Sequence, residues 1–235
     1  MNKKHTKTLC LLLLTAVLVC VAAACGSQNG ESSGGASSGA ASSQSAASPL
    51  PIDLGDGLMI TEARRYAGIF MEDGTDQIVD SVMMLMVENN SEAYIQLAGI
   101  TVYDTEGTPY NFQLTTLFPG EKAALLELDR ALWDESIQIV SAELTSLALF
   151  DEAPSMHPDL LEFQGEDYQL RVKNISDQAF SGGRVCYKSV SGDIYIGGIT
   201  YTVTIPALAP GEETTLSARH YLEGGSRLIF VTYAE

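Results

Sequence analysis

The segment Ile199-Thr200-Tyr201-Thr202-Val203-Thr204-Ile205 decides the fold class. Aliphatic and aromatic residues occupy every second position, and three threonines occupy the positions between them. A period of two places the two sets of side chains on opposite faces of a β-strand, and β-branched and aromatic residues favour strands. Tyr110, Phe112 and Leu114 alternate in the same way. We therefore predict half-buried strands in both regions.

Turn-forming segments separate the apolar runs at intervals of about 8 to 12 residues, as in two-sheet β-proteins. They combine glycine, proline, asparagine and serine, which favour tight turns. They are Asn89-Asn90-Ser91, Thr105-Glu106-Gly107, Pro119-Gly120-Glu121, Ser191-Gly192-Asp193 and Pro210-Gly211-Glu212. Short strands joined by such turns predict an all-β protein made of antiparallel β-sandwiches. Two segments fit less simply: Ser81–Val87 is predicted to be a buried strand, and 129–135 a helical turn around Trp133.

The turn signals occur twice in the same order. The Asn-x-Ser turn that begins at Asn89 recurs at Asn174, and Pro119-Gly120-Glu121 recurs at Pro210, at offsets of 85 and 91 residues. Tyr103 and Tyr187 are 84 residues apart. These spacings predict a duplicated unit, with one sandwich in residues 51–152 and a second in 153–235. The alternative is two unrelated β-domains that share common turn chemistry.

The strand Ile100-Thr101-Val102-Tyr103-Asp104 leads into a Glu-Gly turn. It resembles the strand motif of FxLYD-type and related Ig-like domains found on bacterial surface lipoproteins. Ile and Val stand where that motif has Phe and Leu, and Arg184-Val185-Cys186-Tyr187-Lys188 keeps the tyrosine alone. The resemblance implies tandem Ig-like domains, and it implies no activity because a fold does not fix a function.

The N-terminal residues have the features of an export signal. Lys3, Lys4 and Lys7 precede an apolar run of 16 residues from Leu9 to Ala24, which is shorter than the roughly 18 to 20 residues of a membrane-spanning helix. The sequence Ala22-Ala23-Ala24-Cys25-Gly26 resembles the lipobox of bacterial lipoproteins, with Ala22 where leucine is commonest. That resemblance implies a signal peptide over residues 1–24 and a lipid on Cys25, which places the protein on the extracytoplasmic face of the cell membrane. The alternative is a free cysteine beside an ordinary cleavage site.

Residues 25–50 are predicted to be a disordered tether, because serine, glycine and alanine dominate them and they cannot bury enough apolar surface to fold. The order of signal, low-complexity spacer and tandem β-domains is similar to that of uncharacterised surface lipoproteins of Gram-positive anaerobes. Without its signal the chain carries 10 Lys and Arg against 30 Asp and Glu, a formal charge of −20. So strong an acidic excess repels phosphate backbones, which excludes nucleic acid as a partner. It also leaves the lipid as the means of membrane attachment.

Residues that could carry chemistry are scattered. His157 and His220 stand apart from any nucleophile or ligand set, and the acidic segment Glu72–Asp76 lacks the ligand spacing of a calcium loop. Cys186 lies in a predicted strand, where we expect a small buried hydrophobe. The alternative is a reactive thiol beside Arg184 and Lys188. We predict no catalytic residues, no metal site and no cofactor.

The sequence favours a binding or scaffolding module at the cell envelope over an enzyme, with an envelope protein or a glycan as partner. The expected ligand site is in the second sandwich, where Gly197 and Gly198 lie between Tyr195 and Tyr201. Glycines within a strand mark a bulge or the close approach of another backbone. The alternative function is a carbohydrate-active or other hydrolase whose carboxylates meet only in the folded protein.

Overall fold

A computed structural model describes residues 49–233, which lie within one compact unit of the chain. Every regular element in this range is a β-strand. The strands are β1 (Ile52–Asp53), β2 (Leu58–Ile69), β3 (Ile78–Asn89), β4 (Ile95–Asp104), β5 (Pro109–Leu117), β6 (Lys122–Leu126), β7 (Ile139–Leu149), β8 (Leu161–Glu166), β9 (Gln169–Asn174), β10 (Gly183–Ser191), β11 (Ile194–Ile196), β12 (Tyr201–Ile205), β13 (Glu213–Ser217) and β14 (Ser226–Tyr233). The predicted all-β fold class is thus confirmed.

The strands form three sheets. The largest has eight strands in the order β1-β2-β3-β6-β11-β10-β12, with β14 also paired to β10. Two sheets of three strands have the orders β5-β4-β7 and β13-β9-β8. We call β1–β7 the N-terminal unit and β8–β14 the C-terminal unit. The eight-stranded sheet takes strands from both.

Two hydrophobic clusters lie between the large sheet and the smaller ones. The first joins β2, β3 and β6 to β4, β5 and β7 through residues such as Leu85, Val102 and Phe112. The second joins β8, β9 and β13 to β10, β12 and β14, with Val172 and Val185 among its members. The first cluster also takes Cys186, Tyr195, Ile229 and Phe230 from the C-terminal unit. The two units therefore pack against each other through apolar side chains.

The alternating segments form strands as predicted. In β12 the side chains of Thr202 and Thr204 are exposed and Ile205 is buried. The segment Ser81–Val87 lies in β3, where Met83 is buried in the core while Met84 and Met86 are half buried. The helical turn predicted over 129–135 is wrong. Leu132 instead forms a β-bridge with Val82 and the Trp133 amide donates to the Ser81 carbonyl, so the segment pairs with β3.

The two Asn-x-Ser turns have the same hydrogen bonds. The side-chain nitrogen Nδ2 of Asn89 donates to the backbone carbonyls of Ala93 and Leu117. The side-chain nitrogen of Asn174 donates in the same way to those of Gln178 and Leu208. Each asparagine oxygen accepts from the backbone and hydroxyl of the serine two residues later. The matching Pro-Gly-Glu turns are also held alike, since Gly120 and Gly211 donate to the carbonyls of Asn89 and Asn174. Both repeated motifs thus perform the same structural task, which is to anchor a turn to the strand opposite.

Candidate binding groove and the junction beside it

The junction between the two units begins with a parallel strand pair. Strand β6 pairs with β11 from Lys122 to Ala124, opposite Ile194 to Ile196. The chain after β11 then crosses to β5, where the amide and hydroxyl of Thr115 both donate to the Gly198 carbonyl. Backbone hydrogen bonds therefore connect the two units at two places, between β6 and β11 and between β5 and the segment that follows β11.

Lys188 is the central buried cation of the junction. Its side chain extends from β10 and is fully buried. Its Nζ donates to the carbonyl oxygens of Thr115 at 2.6 Å, Gly198 at 2.9 Å and Ile199 at 2.9 Å. Burial lowers the pKa of Lys188 to about 7, and the negative charges of Glu72 and Glu121 oppose that shift. Three acceptors match the three donors of an ammonium group.

Glu72 is a half-buried carboxylate close enough to Lys188 to interact with it electrostatically. One carboxylate oxygen accepts from the Leu126 amide at 2.8 Å, and both oxygens accept from the Gly198 amide at 2.9 and 2.8 Å. Burial raises the pKa of Glu72, while these backbone hydrogen bonds and the charge of Lys188 act in the opposite direction. Glu72 extends from the tip of the β2–β3 hairpin. Its carboxylate therefore links that tip to β6 at Leu126 and to Gly198 in the segment that follows β11. Both its oxygens are already occupied by backbone donors.

The four residues predicted to bind a ligand all lie along this junction. Tyr195 is 1% exposed, and its hydroxyl donates to Glu121 at 2.7 Å. A Cβ on Gly198 would lie 1.7 Å from the Gln113 carbonyl oxygen, and Gly197 has a φ of 83° and packs on Met71. The glycines do mark a close backbone approach, and the approaching backbone is β5 of the same chain.

Tyr201 is enclosed by other rings. It stacks on Tyr187 with ring centroids 5.4 Å apart and on His220 at 4.6 Å. Burial is the main cause that raises its pKa to about 12. His220 in turn lies 3.7 Å from a carboxylate oxygen of Asp76 at the β2–β3 hairpin tip. The stack thus forms a second contact between the C-terminal unit and that hairpin.

The other candidate residues occupy separate places. Cys186 is 5% exposed in the first hydrophobic cluster, which confirms the predicted burial, and that burial raises the pKa of its thiol to about 11. His157 packs on Tyr233 with centroids 4.8 Å apart. Among residues 49–233 no cluster of three or more histidine, cysteine or acidic side chains could hold a metal ion. Cys25, the predicted signal and nearly all of the predicted tether lie outside the described residues.

A small cavity adjoins the junction and a larger groove lies on the C-terminal unit. The cavity, of about 240 Å³, is lined by Glu72, Gln113, Leu128 and Gly198 among others. The groove has a volume of about 720 Å³, within the range of about 300 to 1,000 Å³ that is typical of small-ligand sites. It opens on the large sheet where the strands β10, β12 and β14 run side by side. We take this groove as the candidate site.

The strand register places a row of polar side chains across the groove. Arg184 of β10 pairs with Thr204 of β12 on one side and with Thr232 of β14 on the other. All three side chains are exposed. Their neighbours Val185 and Val231 point into the second hydrophobic cluster. The alternation that buries the valines therefore turns the arginine and the two threonines outward.

Two glycines and the ring of Tyr233 also line the groove, and each is closely packed against its neighbours. Gly182 immediately precedes β10, which begins at Gly183, and a Cβ on Gly183 would lie 2.0 Å from the Thr232 carbonyl oxygen. Tyr233, half exposed, packs between His157 and Phe180 with centroids 4.8 and 5.9 Å away. The contacts with His157 and Phe180 therefore hold the Tyr233 ring in place at one end of the groove.

Arg184 differs from the other arginines of the chain in having no carboxylate partner among residues 49–233. Each of the others lies within ion-pair distance of an acidic side chain: Arg64, Arg65, Arg130, Arg171, Arg219 and Arg227. None of the described residues that line the groove is acidic. Within the described part of the chain the groove thus presents one guanidinium that has no carboxylate partner, in a protein whose formal net charge is −17.

Sequence reasoning located the junction and missed the groove and the buried charges. The glycine pair pointed to the crossing segment, but Lys188 and Arg184 were noticed only as neighbours of Cys186. The available signal was their position, since residues 184, 186 and 188 share one face of a strand. Glu72 is considered in the sequence only as part of an acidic segment that lacks the spacing of a calcium loop.

Comparison of the sequence with known families and with curated proteins identifies no relative of this chain. The chain matches no known protein family, and no curated protein matches it significantly. Within residues 49–233 there is also no helix with the length and hydrophobicity needed to cross a membrane.

Proposed function

We propose that this protein is a lipid-anchored binding module on the extracytoplasmic face of the cell membrane. Cys25 carries the lipid, residues 26–50 form the tether, and the β-units present a ligand site away from the membrane. Two acyl chains on one cysteine give stable anchoring where a single chain would not. The lipobox-like sequence and the acidic charge of the chain support this placement.

The observation that supports a binding role most strongly is the way the two units are fastened. One continuous sheet, the Glu72 and Lys188 contacts and the shared apolar cluster oppose relative motion of the units. Rigid β-scaffolds suit the display of a surface, since binding to a preorganised site costs little conformational entropy. Among residues 49–233, Glu72 is the one carboxylate that lines the junction cavity. It already accepts hydrogen bonds from the Leu126 and Gly198 amides, so it is poorly placed for proton transfer.

Replacement of the lipid-bearing cysteine tests the anchoring. Cys25→Ala should release the protein into the medium or leave it as an uncleaved precursor, whereas Cys20→Ala, within the signal, should behave as the wild type. Cell fractionation and the mass of the processed chain measure both outcomes. A Cys25→Ala protein that stays on the membrane with a normally processed mass would contradict the proposal.

Two further measurements test placement and binding. Protease added to intact cells should cut within residues 26–48 and release a folded fragment, because the tether then faces outward. The full chain in detergent should bind saturably to envelope material isolated from the cells that produce it. Protection from the external protease, or no saturable binding, would each overturn that part of the proposal.

A further inference from the structure

The floor of the groove excludes one common way of binding a peptide. Strand β10 pairs with β12 and with β14 over the same residues, Gly183 to Tyr187, so its backbone donors and acceptors are used on both sides. An extended peptide usually adds itself to a free strand edge. A ligand that lies over β10 must therefore be recognised by side chains and not by the backbone of β10.

Those side chains suit a ligand that places one carboxylate on Arg184. Arg184 projects a planar fork of donors that matches a carboxylate, and no carboxylate of residues 49–233 lies within ion-pair distance of it or lines the groove. A single cation amid an excess of acidic residues favours a singly charged ligand group over a highly charged one, which the surrounding negative field would repel.

The remaining groups suit a ligand rich in hydroxyls. Ser181, Thr204, Thr232 and Tyr233 each bring a hydroxyl to the lining, and a hydroxyl can both donate and accept. Ile205, the large aliphatic residue of the lining, is 1% exposed and offers little apolar surface. The groove therefore offers a mixed array of donors and acceptors around one guanidinium.

We propose that this groove binds an acidic saccharide, with the carboxylate of a uronic-acid type sugar on Arg184 and the sugar hydroxyls on the threonine and serine side chains. This inference rests on the proposed binding function and names its ligand class. The junction residues take no direct part in it, since their polar groups are occupied within the chain.

Calorimetric titration of the full chain in detergent tests the proposal with matched probes. The probes are digalacturonate, its methyl ester and an acetylated tripeptide with a free carboxyl terminus. Digalacturonate should bind most tightly. The ester keeps the ring and loses the charge, so it should bind about tenfold or more weakly, as expected for loss of a charge-assisted hydrogen-bonded pair. Added salt should weaken digalacturonate binding and leave the ester unchanged.

Variants assign that binding to the groove. Arg184→Gln should weaken digalacturonate binding about tenfold or more, and Arg184→Lys should restore part of it, because a lysine keeps the charge and loses the fork. Thr232→Val should weaken digalacturonate and its ester alike. The matched control is Arg171→Gln, an exposed arginine of β9 that pairs with Glu213, and it should leave the affinity unchanged. All the altered residues are exposed, and thermal unfolding of each variant checks that it folds.

Several results would overturn the inference. They are equal binding of acid and ester, an Arg184→Gln protein with wild-type affinity, tighter binding of the peptide acid than of the saccharide, or no binding of any probe at millimolar concentration. If these occur while the chain still binds isolated envelopes, the saccharide assignment fails and the proposed function stands. If envelope binding is also absent, the binding function itself fails.

Discussion

At the scale of single residues, Lys188 is the most consequential residue of the junction, because it is fully buried and donates to three carbonyl oxygens. Replacing Lys188 by an apolar residue leaves buried carbonyl oxygens without this donor, which costs about 1 to 3 kcal/mol. Lys188→Met should therefore lower the free energy of unfolding by about that amount. Urea denaturation measures the change.

Lys122→Met is the matched control for that substitution. Lys122 pairs with Glu88 at 3.3 Å, and its side chain is 47% exposed. Exposed pairs contribute about 0 to 1 kcal/mol, so this variant should be close to the wild type. Equal effects of the two methionine substitutions would show that the Lys188 contacts do not hold the junction.

The low pKa of Lys188 predicts a specific dependence of stability on pH. The folded chain releases the Lys188 proton near pH 7, whereas the unfolded chain holds it until about pH 10.5. Because the unfolded state binds more protons in this window, stability rises with pH between these values. Relative to the double variant Lys188→Met/Glu72→Gln, the wild type should gain about 1 to 3 kcal/mol of unfolding free energy from pH 7 to 10.

The double variant isolates Lys188 in this measurement. Other groups that change charge in this pH window are present in both proteins, so their contributions cancel in the difference. The raised pKa of Glu72 affects stability only at acidic pH, below the window from pH 7 to 10. A difference that stays flat from pH 7 to 10 would show that Lys188 titrates as an ordinary lysine.

Lys188 illustrates what a sequence can predict about a single residue. Period two places Arg184, Cys186 and Lys188 on one face of a strand, and that much follows from the sequence. Whether the face is covered depends on where the N-terminal unit packs. The N-terminal unit covers Cys186 and Lys188 but does not reach Arg184. Of these three residues on one face, two are therefore buried and Arg184 is exposed.

At the scale of elements, the strands follow from local pattern and the connections between them do not. Strands β3, β5 and β12 were predicted because alternation and apolar runs are local signals. The segment around Trp133 was misassigned because its acidic flanks resemble a helical turn, while its backbone bonds go to β3. The parallel pairing of β6 with β11 joins residues about 70 positions apart, and no local signal reports it.

The repeated asparagine turns give a prediction at this scale. Asn89 and Asn174 are both fully buried and make the same set of hydrogen bonds. Asn89→Ala and Asn174→Ala should each cost about 2 to 4 kcal/mol, since each orphans buried backbone groups and frees a turn. Urea denaturation of the two variants measures this cost. If one substitution were neutral while the other was severe, the two turns would not be equivalent in function.

At the scale of the whole molecule, the sequence predicts two sandwiches and says little about how they combine. Two hydrophobic clusters are present, as a duplicated unit would produce, but a single sheet passes through both units. This arrangement depends on a fit between Gly198 and β5, and on the hydrogen bonds that Lys188 and Glu72 each make across the junction. Such complementarity arises only when both units are folded, which is why patterning within either one cannot report it.

The central claim of this account is that the two units form one rigid body. Differential scanning calorimetry of the full chain at neutral pH tests it most directly. We expect one unfolding transition whose calorimetric and van't Hoff enthalpies agree, because the shared sheet and the Lys188 contacts should make the units unfold together. Two resolved transitions, or a calorimetric enthalpy about twice the van't Hoff value, would contradict it.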